Sequence, residues 1–487
     1  MKILEFRDQL GESISKIIGA PGNQISLILT MLSVIPFCLL NYFIHGKNIR
    51  LIYSLVLGFL FQLSIYKFNC IHIFISSIGT YIFIHYFGRK YSAFYVLVFS
   101  FLYLSYLHIK RMFFEYGEWS VDDPTIIYMM SIAKFSSLAF SYEDGEIDPK
   151  LIKNNHHREY RIVEKPTLLE VLSFIYFYPT SIVGPSIEFK DFINFIKEED
   201  CYSNLNENIL YILGHGTFYL IASFLSMAYY AIISNKLPLE AEAEEEFGKN
   251  SLLYGLLYIK ICIPAIRARY YSGWILSYSM VIFSGLSYTE KIEKNGEKVK
   301  TLEKGCYGRV RSSEWSIDPN ETINEWNKTI HLWLKYNVFT RILRIKTKNF
   351  DGEKHKSLAN FVTFIFSAIW HGYYMNYYLT FFLLYCYKTS ADILGKLKVY
   401  EWIYQRPYLK PFATIFNCLA FETLGIIFWN LEWEKAYTGL KNIKFYPIVV
   451  ILTLYITTTL INISIGKKNK REKPKENGEK IIEKKVE

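Results

Sequence analysis

The chain has 487 residues, 51% of them hydrophobic and 18% aromatic, with a formal net charge of +10. The apolar residues fall in long uncharged blocks, which excludes a soluble multidomain protein and points to a polytopic membrane protein. Seven scattered cysteines without a C-x-x-C pair exclude a disulfide framework and a zinc site, and residues 1–20 lack the continuous apolar core of a cleavable signal peptide.

Near the start, Ile3, Phe6, Leu10, Ile14 and Ile17 recur at spacings of three and four between charged residues. The pattern predicts an amphipathic helix ended by Gly19, Pro21 and Gly22, lying either in the membrane interface or on the protein's own surface. Candidate spans follow at 24–44, 49–66, 69–87 and 92–108. Asp122, Asp123 and Pro124 read as a helix start, with an acid at the cap and proline in the first turn. The helix they open, 125–140, is short for a crossing and carries Lys134, so a buried or re-entrant helix is expected.

The polar loop 144–166 holds the adjacent His156 and His157. With no carboxylate or cysteine at ligand spacing, they are expected to be solvated rather than metal-bound. Further apolar blocks run at 168–184, 207–234, 251–266 and 270–288. The acidic run 240–246 and the Lys/Glu-rich stretch 290–304 are expected as solvated loops. Gly184 and Pro185 close the block 168–184 and leave Glu188 near the interface. There it either helps to hold a substrate headgroup or pairs with a nearby lysine.

Trp326, Ile330, Trp333 or Leu334, and Val338 follow a 3.6-residue period, so 324–342 is predicted as one helix with an apolar stripe. Asn327 and His331, four apart, would share a face of it. A carboxamide there can orient a carbonyl or steady an oxyanion; an ordinary helix-surface asparagine is the alternative. Asn327 and Thr329 also form a glycosylation sequon, which an embedded helix would not use. The segment 335–356 carries seven Lys/Arg against two acids. Such clusters mark the cytosolic side and attract anionic headgroups or polyphosphates.

Residues 359–387 contain no Asp, Glu, Lys or Arg and are long enough to cross a bilayer as one helix. His371 would then lie roughly 18 Å from the first residue, near the midplane. An ionisable group at that depth usually faces a bundle interior or a cavity; the alternative is a buried histidine bonded to a neighbouring helix. Blocks at 409–430 and 444–465 follow, then a tail, 466–487, with nine Lys/Arg against five Glu. Its Lys484 and Lys485 resemble a dilysine signal for retrieval to the endoplasmic reticulum, and its charge argues for a cytosolic end. The expected organisation is an amphipathic segment (1–23), a membrane-embedded domain (24–465) and a basic cytosolic tail (466–487). The fold class is all-α, with about eleven transmembrane helices plus buried or re-entrant ones.

Several of these segments resemble the membrane-bound O-acyltransferase family, and within it the lysophospholipid acyltransferase branch. The resemblance is carried by Trp370, His371 and Gly372, by Trp326, Asn327 and Thr329 with Trp333 and Leu334, and by Gly184, Pro185, Ser186, Glu188 and Phe189. Lys134, Leu138, Ala139, Asp144 and Gly145 look like that branch's K-x-x-x-L-A-x-x-x-x-D-G segment, and Pro166 to Glu170 like its P-S-L-L-E. The matches come in the expected order as far as residue 387. One departure is Asn376 before Tyr377, where the branch often has Gly-Tyr; the larger side chain bears on the acyl tunnel and so on substrate preference.

The resemblance implies helices enclosing a reaction chamber in the endoplasmic reticulum membrane. It also implies transfer of a fatty acyl group from acyl-CoA, as co-substrate, to the free hydroxyl of a lysophospholipid. The family's two functional residues map to His371, as general base, and Asn327, which would position the acceptor or support the oxyanion. Trp326, Trp370, Glu188 and Lys134 are expected to contact substrate. Arg341, Arg344, Lys346 and Lys348 would meet CoA phosphates, unless they only mark the cytosolic side. No metal, permanently bound cofactor or nucleic acid partner is expected. The alternatives are the same fold with a sterol, diacylglycerol, protein or glycolipid acceptor, or a transporter gated by His371, which would call for internal repeats or paired intramembrane acids.

Overall fold

The computed structural model describes residues 2–18, 22–114, 121–292, 296–347, 351–352 and 354–471. Lys348 and the tail lysines Lys484 and Lys485 lie outside the described residues. The N-terminal helix α1 (Lys2–Ile18) packs on α2 (Gly22–Leu40). Its Arg7 donates to Thr30 Oγ1 at 3.1 Å and to the Ser64 carbonyl at 2.9 Å. Then come α3 (Lys47–Tyr66), α4 (Ile71–Tyr86) and α5 (Arg89–Phe114). Helix α6 (Pro124–Asp144) starts as its sequence predicts, with the Asp123 carboxylate accepting from the Thr125 amide at 2.8 Å. Nearly all of its side chains are buried, so it is enclosed by other helices.

After α7 (Asn155–Tyr160), α8 (Leu168–Ile175) opens with a capping box between Thr167 and Glu170. The block 168–184 is not a span: its helix ends at Ile175 and a short turn, Tyr178–Thr180, follows. Lys134 explains the stop. Its ammonium donates to the Ile175 carbonyl at 3.1 Å and to Thr180 Oγ1 at 2.8 Å, satisfying acceptors that the helix end leaves over.

Next are α9 (Phe189–Lys197), α10 (Ile209–Lys236) and α11 (Leu252–Phe283). The blocks 251–266 and 270–288 thus form one 32-residue helix. Arg267 between them does not interrupt it, because Glu314 meets the guanidinium at 2.5 and 2.7 Å. The acidic run 240–246 is a solvated loop only in part: Glu240, Glu244, Glu245 and Glu246 are exposed. Glu242 is fully buried and accepts from Asn430 Nδ2 at 2.8 Å, while Leu239 and Phe247 anchor the segment in the core. The stretch 290–304 belongs to an antiparallel hairpin, β1 (Tyr288–Ile292) and β2 (Lys298–Leu302), with Tyr288 opposite Leu302.

The C-terminal part comprises α12 (Val310–Trp315), α13 (Pro319–Glu325), α14 (Lys328–Leu334), a π-helical turn at Lys335–Phe339 and α15 (Thr340–Arg344). It continues with α16 (Lys356–His371), α17 (Met375–Lys396), α18 (Val399–Tyr404), α19 (Lys410–Trp429), α20 (Trp433–Asn442) and α21 (Tyr446–Arg471). Two predicted single helices are therefore broken, 324–342 at Trp326 and Asn327 and 359–387 just after His371. Among the described residues six stretches are long and apolar enough to cross a membrane. They do not correspond one to one with the apolar blocks of the sequence: the stretch Lys47–Tyr86 holds both α3 and α4, and other blocks are short, fused or folded back.

The adjacent histidines differ from expectation as well. His157 is 3% exposed, with Nε2 donating to the Tyr336 carbonyl at 2.9 Å. His156 stacks on the Tyr336 ring at 3.8 Å and faces Glu188 at 3.3 Å. Ring stacking and a backbone acceptor replace the water that a solvated pair would have kept.

The buried side chains divide into two cores. One is built on α2 to α6, α8, α9 and the C-terminal half of α11. The other takes the N-terminal half of α11 with α17, α19, α20 and α21. Helix α11 therefore runs through both, and the seam between the cores crosses it near Arg267 to Trp274.

Candidate active site

His371 is the last residue of α16. Gly372 follows with φ of 132°, a conformation that L side chains rarely adopt, and lets the chain turn into α17. The helix ends here and α17 folds back against α16. The imidazole is half-buried in a cup of rings: Trp370 at 4.7 Å, Phe428 at 5.0 Å, Phe381 at 5.2 Å and Tyr377 at 5.6 Å. Among the described residues no group hydrogen-bonds the ring. Its nitrogens are thus available to a ligand, unlike those of a histidine committed to structure.

The backbone beneath it is pinned. His108 of α5, itself buried, donates Nε2–H to the Trp370 carbonyl at 3.0 Å, and the Trp370 indole N–H donates to the Met129 carbonyl at 2.9 Å. Arg111, one turn after His108, lies between Asp123 (3.4 Å) and Thr125 (3.2 Å) and over the Tyr374 ring. On the far side Asn376 is fully buried, and its amide donates to the Asn430 carbonyl at the end of α19. The residue that departs from the family pattern therefore staples the turn after His371 to α19.

Asn327 occupies the break between α13 and α14 in the left-handed conformation, φ 44° and ψ 57°. Asparagine accepts that region more readily than other non-glycine residues. Its carbonyl accepts from the His331 amide at 3.0 Å. Among the described residues its carboxamide has no hydrogen-bond partner. The neighbouring Trp326 packs on Trp274 at 5.0 Å, Tyr271 at 5.4 Å and Tyr270 at 6.4 Å.

One ring path joins this corner to His371, and the next helix adds a further contact beside it. Trp333 of α14 meets Trp370 at 6.3 Å. Around the other side Tyr270 meets Trp429 at 6.0 Å and accepts its indole N–H at 3.0 Å, Trp429 meets Phe428, and Phe428 meets His371. The His371 ring and the Trp326 corner are thus linked by successive ring contacts near the seam between the two cores. An apolar hollow of about 310 Å³ beside Leu55 and Tyr176 and a polar one of about 260 Å³ beside Arg50 and Glu198 lie elsewhere and include neither residue.

Helix α6 is the rack for the Asn327 segment. Trp333 Nε1 donates to Ser136 Oγ at 2.8 Å, Asn337 Nδ2 to Ser137 Oγ at 2.9 Å, and Arg341 clasps Asp144 at 2.5 and 2.7 Å. These three donors are four residues apart, on one face of the helix. Arg344 adds a third bond to Asp144, at 3.0 Å. Burial alone would raise the Asp144 carboxyl, but the two guanidiniums reverse that and hold it below the usual carboxylate range. At Gly145 an added Cβ would lie 1.8 Å from the Ile162 carbonyl, so only glycine fits there.

Of the sequence-derived residues, Trp370 adjoins His371, and Trp326, next to Asn327 in the chain, is linked to His371 only through Tyr270, Trp429 and Phe428. Lys134 is enclosed beneath the turn after α8, and Glu188 faces His156. Arg341 and Arg344 are engaged by Asp144, and Lys346 is exposed beside its bridge partner Asp351. Sequence reading missed His108, Arg111, Tyr270, Phe428 and Trp429, and named Tyr377 only as the neighbour of Asn376. A histidine and an arginine three residues apart at the end of an apolar block were the one available signal; the rings carry none.

Comparison with known proteins gives the following. The model of the membrane-bound O-acyltransferase family matches residues 27–428. Lysophospholipid acyltransferase 6 of Drosophila melanogaster is 26% identical over 399 residues, covering 75% of this chain and 51% of the fly protein. Lysophospholipid acyltransferase of Saccharomyces cerevisiae is 27% identical over 351 residues, 66% of this chain and 53% of the yeast protein. Membrane-bound glycerophospholipid O-acyltransferase 2 of Homo sapiens is 25% identical over 391 residues, covering 76% and 71%. The chain thus spans about half the length of the fly and yeast relatives.

Proposed function

The chain belongs to the membrane-bound O-acyltransferase family, and from that premise we propose that it transfers a fatty acyl group from acyl-CoA to the free hydroxyl of a lysophospholipid. The names of its relatives support the substrate class. The observation that supports the chemistry is the His371 ring, set in a cup of aromatic rings without a hydrogen-bond partner among the described residues, with a chain of ring contacts leading from it to the Trp326 corner.

An aliphatic hydroxyl is a poor nucleophile at neutral pH. In our reading an acceptor in this cup gives its proton to the free nitrogen of His371 while its oxygen attacks the thioester carbonyl. The tetrahedral oxyanion is met by the Asn327 carboxamide, whose N–H groups have no partner among the described residues and whose backbone is held in a left-handed turn. Collapse expels the CoA thiolate, and the imidazolium returns the proton to it. The surrounding rings keep bulk water from the thioester. His108 and Asn376 act through the backbone on either side of His371 and are positioning residues.

Residence in the endoplasmic reticulum with a cytosolic C-terminus is part of the proposal and rests on the basic tail. The test is an acyl-transfer assay on the purified chain in proteoliposomes, offering lysophospholipids, diacylglycerol and a sterol side by side. Acylation of lysophospholipid above the others is expected; exclusive acylation of a neutral acceptor would replace the proposed substrate class.

A further inference from the structure

Helix α11 carries three cations, and two are neutralised. Lys260 Nζ sits 2.9 Å from Glu422, and Arg267 is held by Glu314 at 2.5 Å and Glu422 at 3.6 Å. Two bases thus balance two acids. Arg269 has no carboxylate within 4.0 Å among the described residues. Its guanidinium lies between two rings instead, 5.4 Å from the centroid of Tyr230 on α10 and 5.4 Å from that of Tyr270. Cation–π contacts steady a guanidinium but leave its charge, and an uncompensated charge inside an apolar helix pair is costly. Arg269 is only half-buried, so its side chain is accessible to an anion.

Its surroundings say which anion. Tyr270 belongs to the ring path from Trp326 to His371, so Arg269, packed on Tyr270, borders that path. Helix α10, which supplies Tyr230, exposes Phe218, Ile221, Phe224, Leu225 and Ile232. A molecule approaching over that face comes through an apolar medium. One planar guanidinium matches one monoanionic phosphodiester, which it can hold with two parallel hydrogen bonds. CoA, with several phosphates and a hydrophilic nucleotide, needs several cations and an aqueous approach.

We propose that Arg269, braced by Tyr230 and Tyr270, is the anchor for the phosphodiester of the acceptor lipid. It sets the preference for a phosphate-bearing acceptor over a neutral one. This rests on the acyl-transfer reading above for its place in the reaction, though not for lipid binding itself.

The test uses the full chain in nanodiscs, wild type beside Arg269→Met and Arg269→Lys. In the kinetic arm R269M is expected to raise KM for lysophosphatidylcholine at least tenfold, with KM for acyl-CoA within twofold of wild type. It should also abolish the preference over monoacylglycerol. R269K, which keeps the charge but not the fork, should fall between. In the binding arm, quenching of tryptophan fluorescence by lysophosphatidylcholine without acyl-CoA should shift at least tenfold in R269M, with no shift for monoacylglycerol. That arm reads the anchor even if the wild type transfers no acyl group, a result that would sink the reaction and not the anchor. Unchanged lysophosphatidylcholine KM and binding in R269M, or a rise confined to KM for acyl-CoA, overturns the proposal. If R269M does not fold, Arg269→Gln carries the same two arms with the same readings.

Discussion

Replacing Asp144 with asparagine tests how the Asn327 segment is held. Asp144 is 1% exposed and receives bonds at 2.5 and 2.7 Å from Arg341 and at 3.0 Å from Arg344. In Asp144→Asn the two guanidiniums lose their counter-charge. Arg344, with 35% of its side chain exposed, can turn to water, but Arg341, at 14%, cannot. Removing one partner of a buried pair costs about 3–5 kcal/mol, and with Arg344 relieved we expect about 3 kcal/mol. The loss removes one of three fastenings to α6, so amide exchange across 328–344 should accelerate by roughly a hundredfold. Exchange in α19 to α21 should stay as in wild type. The carboxyl is held below its ordinary value, so its contribution is complete above about pH 5 and is lost as pH falls through the folded value. The effect should therefore be constant between pH 6 and 8. Adding Arg341→Met should recover about 1 kcal/mol or more, because it removes the stranded charge. Unchanged exchange in 328–344, or strictly additive losses in the double variant, would refute the clasp.

Three further outcomes follow from single residues. Asn327→Gly keeps the left-handed turn but removes the carboxamide, so kcat should fall about 10²–10³-fold with an unchanged thermal midpoint; a wild-type rate would dismiss the oxyanion role. Gly372→Ala forces a side chain to φ of 132° and places its Cβ 3.4 Å from His108 Nδ1. It should cost about 1–3 kcal/mol and most of the activity, measured by melting and initial rate. Burial first, then Arg341, depresses His157 to about 3, against about 6.5 in a free chain. The unfolded state therefore takes up the proton first, and stability should fall as pH drops from about 6.5 towards 3, by about 2 kcal/mol at pH 5. His157→Asn should flatten that slope in thermal melts; an unchanged slope would contradict the assignment.

Much of the scaffold is legible from local chemistry. Asp123 and Pro124 start α6, and the enclosed character of that helix agrees with its length and its lysine. The breaks were harder. Gly372, a common helix terminator, stands just after His371, yet uninterrupted apolarity reads as one crossing because hydropathy does not register backbone conformation. The left-handed turn at Asn327 depends on packing of Trp326 against Trp274 and on the α6 rack, both distant in sequence. Arg267 reads as the end of a span only while Glu314 and Glu422 are unseen. The same limit applies to His157 and Glu242, whose polarity signals solvent until their buried partners are known. At the site, His371, Asn327 and the tryptophans Trp326, Trp333 and Trp370 could be named from motifs, whereas Tyr270, Phe428 and Trp429, which complete the ring path, belong to none of them.

The most direct measurement is acyl transfer from labelled acyl-CoA to lysophospholipid by His371→Ala in proteoliposomes, with its melting curve and membrane insertion matched to wild type. We expect product formation to fall by at least about 10³-fold while insertion and melting hold. Product formation at the wild-type rate would contradict the assignment of His371 as the base.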